Sequence, residues 1–577
     1  MAIPAELRER VETWIADDPD PEGRAELETL LQAGDREGLE ARFSGNLEFG
    51  TAGCRALMGA GPSRFNRRNV LLLTAACVRY LQRTLPAAAQ RGICVAYDAR
   101  RGGARFAQDV IEVASAAGFR VAEFAAPLPT PLLAYASRKL NCSAAVMITA
   151  SHNPRDYNGY KLYGAEGYQI TPPSDGEIVA ERDRVESVAS IARLPIEEGR
   201  TLGLVRRLEE DFFDDYVAAL REIAPPRSSP LRIAYSALHG VGAAWIRRLL
   251  VEGGFRNFDA LPSQNDPDGS FPTVPSPNPE EAEALKELFA LGRERKAELL
   301  LATDPDADRL ALALPDVEAE EGFRLLHGNQ VGALLADYRL SKMDDPAQAF
   351  VLSSIVSSPL AGQIARHYDA HWEPTLTGFK WMAKRALELQ ASGKRFAFAY
   401  EEAIGYLVSP IVRDKDALSA ALVVAEMVDV YREQGRTLWQ VLDGIAARHG
   451  VYLSHPITLK HDADESRDSD GWLDALFAAP PASLGGISVK SARDFRQGSE
   501  IQTPQGKVFL PPTTLLELDL EGGHRVMLRP SGTEPKTKVY IDVHVPCTAA
   551  TLAEAKVEAQ NTLQRIVAAL RALLQPA

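Results

Sequence analysis

The 577-residue chain has few of the features that mark several common protein classes. Its five cysteines, at 54, 77, 94, 142 and 547, are an odd number, widely scattered and without a CxxC pair, which argues against a disulfide framework and a cysteine zinc site. Such thiols fit a reducing compartment. The ten histidines form no metal-ligand cluster. No apolar run approaches the roughly 20 residues that span a bilayer. The opening "MAIPAELRERVETWIADDPDPEG" reads as one amphipathic, acidic helix, without the basic-then-apolar pattern of a secretory signal. A cytoplasmic protein with no membrane partner is expected. Cations are also in deficit: 64 Lys and Arg against 78 Asp and Glu give a net charge of −14. Broad contact with a phosphate backbone is disfavoured, so no nucleic-acid partner is expected.

What remains is ordinary globular composition, 46% apolar and 25% charged. Length alone suggests about three to five domains. Three segments repeat one plan of apolar strand, polar or glycine-bearing loop, helix and strand: 93–124, 231–261 and 349–372. That alternation predicts mainly parallel α/β sheets with functional loops beyond the carboxyl ends of the strands. Breaks are expected at "APPRSSP" (224–230), near 316–322 and across "LKHDADESRDSDG" (459–471). Past the last break, "TKVYIDVHV" (537–545) alternates like a half-buried strand, and Leu563, Ile566, Val567 and Leu570 form one stripe of a terminal helix. The expected domains are three α/β units, 1–223, 224–317 and 318–458, and a smaller α+β domain, 459–577.

Within "MITASHNPRDYNGYKLYG" (147–164), the buried strand "SAAVMI" delivers Thr149, Ala150 and Ser151 into a loop that Asn153-Pro154 turns. A nucleophilic serine needs a partner for its proton, and His152 is adjacent in sequence only. No GxSxG elbow surrounds Ser151, so a hydrolase triad is not indicated. Taken alone, the tetrapeptide 151–154 reads more readily as a strand ended by local hydrogen bonds. "ELLLATDPDADRLALAL" (298–314) is more specific. Asp304, Asp306 and Asp308 alternate, so extended backbone places them on one side. Two carboxylates about 4 Å apart repel by roughly 4 kcal/mol at an effective dielectric near 20, a conflict that a divalent cation removes. All-oxygen donors point to Mg²⁺ before Ca²⁺, and an EF-hand loop would need glycine and glutamate where this chain has Arg309 and Pro315.

"LRPSGTEPKTKVY" (528–540) gathers Arg529, Ser531, Gly532, Thr533 and Lys536, the donors a phosphate dianion requires, without a Walker pattern. "FAYEEAIGYLV" (398–408) sets Glu401 and Glu402 at a strand end, where carboxylates can accept sugar hydroxyls or simply be solvated. Nearby, "TLTGFKW" supplies Gly378, Phe379 and Lys380, and "IVRDKDALSAA" supplies Arg413 and Lys415.

With these loops in this order, from "FGTAGCR" (49–55) to "RPSGTEPK" (529–536), the chain resembles the α-D-phosphohexomutases, specifically the phosphoglucomutase and phosphopentomutase branch. The resemblance implies three similar α/β domains and a smaller fourth around a central cleft, in a monomer or weak dimer. It also implies a phosphosugar mutase whose substrate is a small phosphosugar, foremost glucose 1-phosphate and glucose 6-phosphate. Ser151 matches the phosphoserine, and Asp304, Asp306 and Asp308 match the Mg²⁺ ligands together with the phosphorylated serine. Arg309 lies beside them, and Arg55, His152 and Lys161 match positions flanking the serine. Gly378, Phe379, Lys380, Glu401, Glu402, Arg413 and Lys415 correspond to the sugar-binding loops; Arg529, Ser531, Gly532, Thr533 and Lys536 to the phosphate loop. The implied cycle passes through a sugar 1,6-bisphosphate that reorients and also activates the enzyme. Lys161, His152 and Lys415 remain alternatives for the general acid/base. Relatives often carry serine at Ala403 and glycine at Ala417. A phosphopentomutase, a sugar 1,6-bisphosphate synthase and a non-catalytic binder are the rival readings.

Overall fold

A computed structural model describes residues 3–574, except 52, 461–468 and 531–535. The chain forms two compact units, residues 1–326 with 405–426, and residues 327–404 with 427–577.

The first unit begins with helices rather than one helix. Ala5–Asp17 stops before Pro19, and Pro21 starts Pro21–Ala33 at a position where a missing N–H costs nothing. The single N-terminal helix expected from the sequence is therefore two, followed by Arg36–Phe43. Leu7, Val11, Trp14, Leu27, Leu39 and Phe43 give these helices a core of their own.

Two sheets follow. The first runs in the order Cys54–Leu57, Tyr157–Tyr163, Ala144–Ile148, Ile93–Tyr97, Val121–Phe124, Val205–Leu208. Its last four strands are parallel and its first two join antiparallel. Helices Arg67–Thr84 and Gly103–Ala116 pack on it through Val70, Leu73, Phe106 and Val110. The second sheet orders Phe323–Leu325, Leu310–Pro315, Leu299–Thr303, Ile233–Ser236 and Phe258–Ala260, parallel over the last three. It reaches past the break expected near 316–322. That acidic stretch is the turn of a hairpin, in which Asp316 N–H donates to Gly322 O, and not a linker.

In the second unit, His371–Thr375, Ala349–Ser354 and Arg395–Glu401 form a parallel sheet. A six-stranded antiparallel sheet follows, from Val451–Lys460 through Lys536–Val545, Arg525–Pro530, Leu516–Leu520 and Ile487–Asp494 to Ser483–Leu484. It starts at Val451, ahead of the expected boundary at 459, because Val451–Lys460 pairs along its whole length with Lys536–Val545. The expected half-buried strand is covered on both faces. Val539, Ile541 and Val543 pack with Leu563, Ile566 and Leu570 of helix Leu552–Leu574, while Tyr540 packs with Met527 and Ile355. Three α/β sheets and a β-rich C-terminal domain bear out the expected class. No described helix is long and apolar enough to cross a membrane.

Candidate active site

In the first unit, the buried strand Ala144–Ile148 ends three residues before Ser151, whose φ of +53° lies in the left-handed region that side chains disfavour. Strain of this kind needs surrounding structure to hold it. The Ser151 N–H donates to Thr149 Oγ1 at 2.8 Å, and Thr149 Oγ1 donates to Asp98 Oδ2 at 2.5 Å. Arg100 does more. Its guanidinium donates to the carbonyls of Ser151 (2.6 Å), Pro154 (2.8 Å), Tyr157 (2.9 Å) and Asn153, and stacks on Phe271 at 5.1 Å. Both Asp98 and Arg100 are buried. Burial pushes the Asp98 carboxyl up to about 6 even though Arg100 and Thr149 oppose the shift.

Strand Tyr157–Tyr163 runs beside the serine strand and pairs Lys161 with Met147, while Gly159 pairs with Arg55 of Cys54–Leu57. Gly159 and Lys161 are two apart, so Arg55 and Lys161 share one face. A Cβ at Gly159 would stand 2.5 Å from Thr149 O and 3.0 Å from Arg55 Cγ, which explains the glycine. Arg55 donates to Asn153 Oδ1 at 3.1 Å.

Strand Leu299–Thr303 delivers the three aspartates into the turn before Leu310–Pro315. All three are buried, and one oxygen from each lies within 4.8 Å of the others. Ser151 Oγ donates to Asp304 Oδ2 at 2.5 Å and lies 3.3 Å from His152 Nδ1. Lys161 Nζ donates to Asp306 Oδ2 (2.6 Å) and Asp308 Oδ2 (2.7 Å), and Lys415 Nζ is 3.3 Å from Asp308 Oδ2. Thr130 Oγ1 donates to Asp306 Oδ2 at 2.6 Å. Arg309 Nε stands 4.0 Å from Asp308 Oδ1.

Charge here is finely opposed. Burial, then Asp306 and Asp308, hold the Asp304 carboxyl well above its usual range. Burial would raise Asp308 as well, but Lys161, Lys415 and Arg309 hold it well below. Burial disfavours the Lys161 ammonium, yet Asp306 and Asp308 raise it overall. Asp306 Oδ1 and Asp308 Oδ1 are buried with no hydrogen-bond partner among the described residues. An oxygen-only donor set with two unused buried oxygens fits a hard divalent cation.

Lys415 lies between two buried aspartates in the chain, of which Asp414 contacts its ammonium. Asp414 accepts from Tyr163 Oη (2.7 Å), Gln169 Nε2 (2.9 Å) and Lys415 Nζ (3.1 Å), whereas Asp416 accepts from Tyr216 and from Leu418 and Ser419 N–H. A Cβ at Gly405 would come within 2.3 Å of Lys415 Cδ, so only glycine leaves this lysine its path. Arg413 donates to the carbonyl of Glu166.

In the second unit, strand Arg395–Glu401 ends in the glutamate pair. Glu401 Oε1 accepts from Gly378 N–H at 2.7 Å, which fixes the start of helix Phe379–Ala391. Phe379 is buried, so its ring packs inward, while Lys380 is half-buried. Glu402 Oε2 accepts from Ser354 Oγ (2.9 Å) and Ser357 Oγ (3.2 Å), and Ser357 Oγ accepts Glu402 N–H at 3.0 Å. Arg529 stands on strand Arg525–Pro530. Ser531, Gly532 and Thr533 lie outside the described residues; Lys536 begins strand Lys536–Val545, and its side chain is likewise outside them.

Sequence reasoning passed over Asp98, Arg100, Thr130 and Asp414. The first two follow an apolar strand, "ICVAYDAR", as Ser151 and Asp304 do, and that parallel was the available signal. Thr130 and Asp414 carry no local signal; only the fold brings them in.

Three family models match in chain order: phosphoglucomutase/phosphomannomutase alpha/beta/alpha domain I over residues 46–189, domain II over 213–317 and domain III over 327–449. A phosphopentomutase of Mus musculus is 33% identical over 95% of this chain and 92% of its own. A glucose 1,6-bisphosphate synthase of Homo sapiens is 32% identical over 98% of this chain and 93% of its own. In fold, the chain is similar to the Paramecium phosphoprotein pp63/parafusin, a phosphoglucomutase, in its open form, with a TM-score of 0.64 at 16% identity over 90% of this chain and 95% of that one. Matched domain by domain and along nearly its whole length, the chain belongs to the phosphoglucomutase/phosphomannomutase family of the α-D-phosphohexomutase superfamily, enzymes that move phosphate within phosphosugars.

Proposed function

We propose that this enzyme interconverts glucose 1-phosphate and glucose 6-phosphate through a phosphorylated Ser151 and a bisphosphorylated sugar. The observation that carries the reading is the 2.5 Å contact between Ser151 Oγ and Asp304, in a buried cluster with Asp306, Asp308 and Lys161. Asp304, Asp306 and Asp308 would hold Mg²⁺, which when bound offsets negative charge on the transferring phosphoryl group.

In the forward step, a sugar hydroxyl attacks phosphorus, the P–Oγ bond of phosphoserine breaks, and the hydroxyl proton passes to a base. His152 stands beside Ser151 for that role, and Lys161 and Lys415, both beside Asp308, are the other groups for proton transfer. Arg55 and Arg309 supply positive charge to the phosphoryl oxygens. The bisphosphate then reorients, and its other phosphate returns to Ser151 Oγ, which restores the phosphoenzyme. Glu402 accepts sugar hydroxyls and Arg529 holds the phosphate that is not reacting. Ser531, Gly532, Thr533 and Lys536 complete that phosphate loop. Gly378 and Lys380 line the sugar side, with Glu401 fixing their backbone.

A second reading, a ribose 1-phosphate/ribose 5-phosphate mutase, is favoured by the 33% identity to the murine phosphopentomutase. The domains proposed are those expected from the sequence, with the second extended to Leu326 and the last starting at Val451.

The test is peptide mass spectrometry of the purified protein together with mutase assays on glucose 1-phosphate and ribose 1-phosphate. Phosphate on Ser151 and net isomerisation are expected, and the ratio of kcat/KM decides between the sugars. Ser151→Ala should fold normally and lose turnover by at least about 10³-fold. Full activity in that variant would sink the assignment, and bisphosphate formation without isomerisation would make the enzyme a synthase.

A further inference from the structure

Strand Arg525–Pro530 carries Arg525, Met527 and Arg529 on one face, since they alternate and pair with Asp542, Tyr540 and Lys538 of the neighbouring strand. Arg529 is the residue proposed above to hold the distal phosphate. Met527 packs with Tyr540 against Ile355, Val356 and Leu376. Arg525 is half-buried, with 13% of its side chain exposed, and has an unusual set of partners. Its Nη1 donates to Ile355 O at 3.0 Å, its Nη2 to Ser357 O at 2.7 Å, and Nε and Nη2 both donate to Asp542 Oδ2, at 3.1 and 2.6 Å. Asp542 is itself anchored by Ser454 Oγ at 2.6 Å.

The turn that Arg525 grips is the one that holds Glu402. Ser354 and Ser357, both buried, donate to Glu402 Oε2, and Ser357 Oγ also accepts the Glu402 N–H. From the other side, Asn329 Oδ1 accepts Ser358 N–H at 2.9 Å. We infer that Arg525 is a positioning residue for sugar recognition: it ties the Glu402 carboxylate, through the Ile355–Ser357 turn, to the strand that carries Arg529. The inference rests on the reading of Glu402 and Arg529 given above.

The physical point is register. Four residues of strand separate Arg525 from Arg529, about 13 Å at a rise near 3.3 Å per residue, and a paired strand barely stretches. Both ends are therefore set by one rigid element: the phosphate arginine directly, the hydroxyl acceptor through a guanidinium whose planar fork bridges two carbonyls and a carboxylate. Burial disfavours the Arg525 cation, but Asp542 and Glu517 keep it charged. A lysine would retain that charge yet cannot make the same four bonds.

The test is a double-mutant cycle between Arg525→Gln and Glu402→Gln, assayed on glucose 1-phosphate and ribose 1-phosphate, with thermal unfolding of each variant. Arg525→Gln should lower kcat/KM about tenfold in the native background and less than about twofold when Glu402→Gln is already present, while the Tm shift it causes is the same in both. A merely structural arginine would move Tm and leave the activity effects multiplicative. Should Arg525→Gln not fold, Arg525→Lys enters the same cycle with the same expectation. If Glu402→Gln leaves kcat/KM unchanged, the reading of Glu402 fails and takes the proposal with it. If Glu402→Gln is damaging but the Arg525 variants are native-like in kcat/KM, or combine multiplicatively with it, the proposal alone is overturned.

Discussion

A single guanidinium illustrates what one residue contributes here. Four carbonyls between Ser151 and Tyr157 accept from Arg100, which gathers them on one cation. Lysine keeps the charge but gathers its donors at one atom. Arg100→Lys should therefore fold, lose kcat about tenfold and change KM less than about threefold, as steady-state kinetics can check; an unchanged kcat would mean the loop holds its strained serine unaided. Gly405 offers a second case. An added methyl meets Lys415 Cδ at 2.3 Å, so Gly405→Ala should displace that lysine and cut kcat/KM about tenfold, with Tm little changed. The aspartate triad was legible in the sequence because alternate acids at the end of an apolar strand repel one another unless a cation joins them. Arg100 was not, since its partners are backbone carbonyls, which leave no trace in residue type.

At the scale of elements, helix Leu438–His449 starts with a reciprocal cap between Thr437 and Gln440 and ends at His449. The ring of His449 lies edge-on to His367 at 5.6 Å, and its Nε2 is buried without a hydrogen-bond partner among the described residues. Burial, with Arg448 and His367 adding to it, lowers its pKa to about 4. An unfolded histidine titrates near 6.5, so between these values the unfolded chain binds a proton that the folded chain refuses. Stability consequently falls as pH drops from 6.5 towards 4, and this contribution is fully present above 6.5. Denaturant midpoints at pH 7 and pH 5 should show a smaller difference in His449→Phe than in the native protein; equal differences would remove His449 as the cause. Element types were legible at this scale, since apolar strands and amphipathic helices announce themselves by period. Their limits were less so. The acidic 316–322 stretch has the composition of a linker but closes a hairpin, because turns and linkers draw on the same polar residues.

Across the whole molecule, the aspartate cluster should couple metal to stability. Three buried carboxylates with two unused oxygens hold a charge conflict that a bound cation relieves. Chelation with EDTA should abolish mutase activity and lower Tm, and Mg²⁺ should restore both. At a hundredfold excess over Kd the gain is about 2.7 kcal/mol by mass action. Asp308→Asn should lose the Mg²⁺-dependent rise in Tm; a rise that persisted undiminished would place the ion elsewhere.

The order of loops along the chain, and with it the family, was already determined by sequence, because strand, turn and donor types are set by near neighbours. Tertiary structure alone decided that Ser151 meets Asp304 across 153 positions, that Lys161 is buried against Asp306 and Asp308, and that Arg525 reaches the turn beneath Glu402. Such contacts join residues far apart in the chain, and their energies depend on burial, which no local pattern encodes.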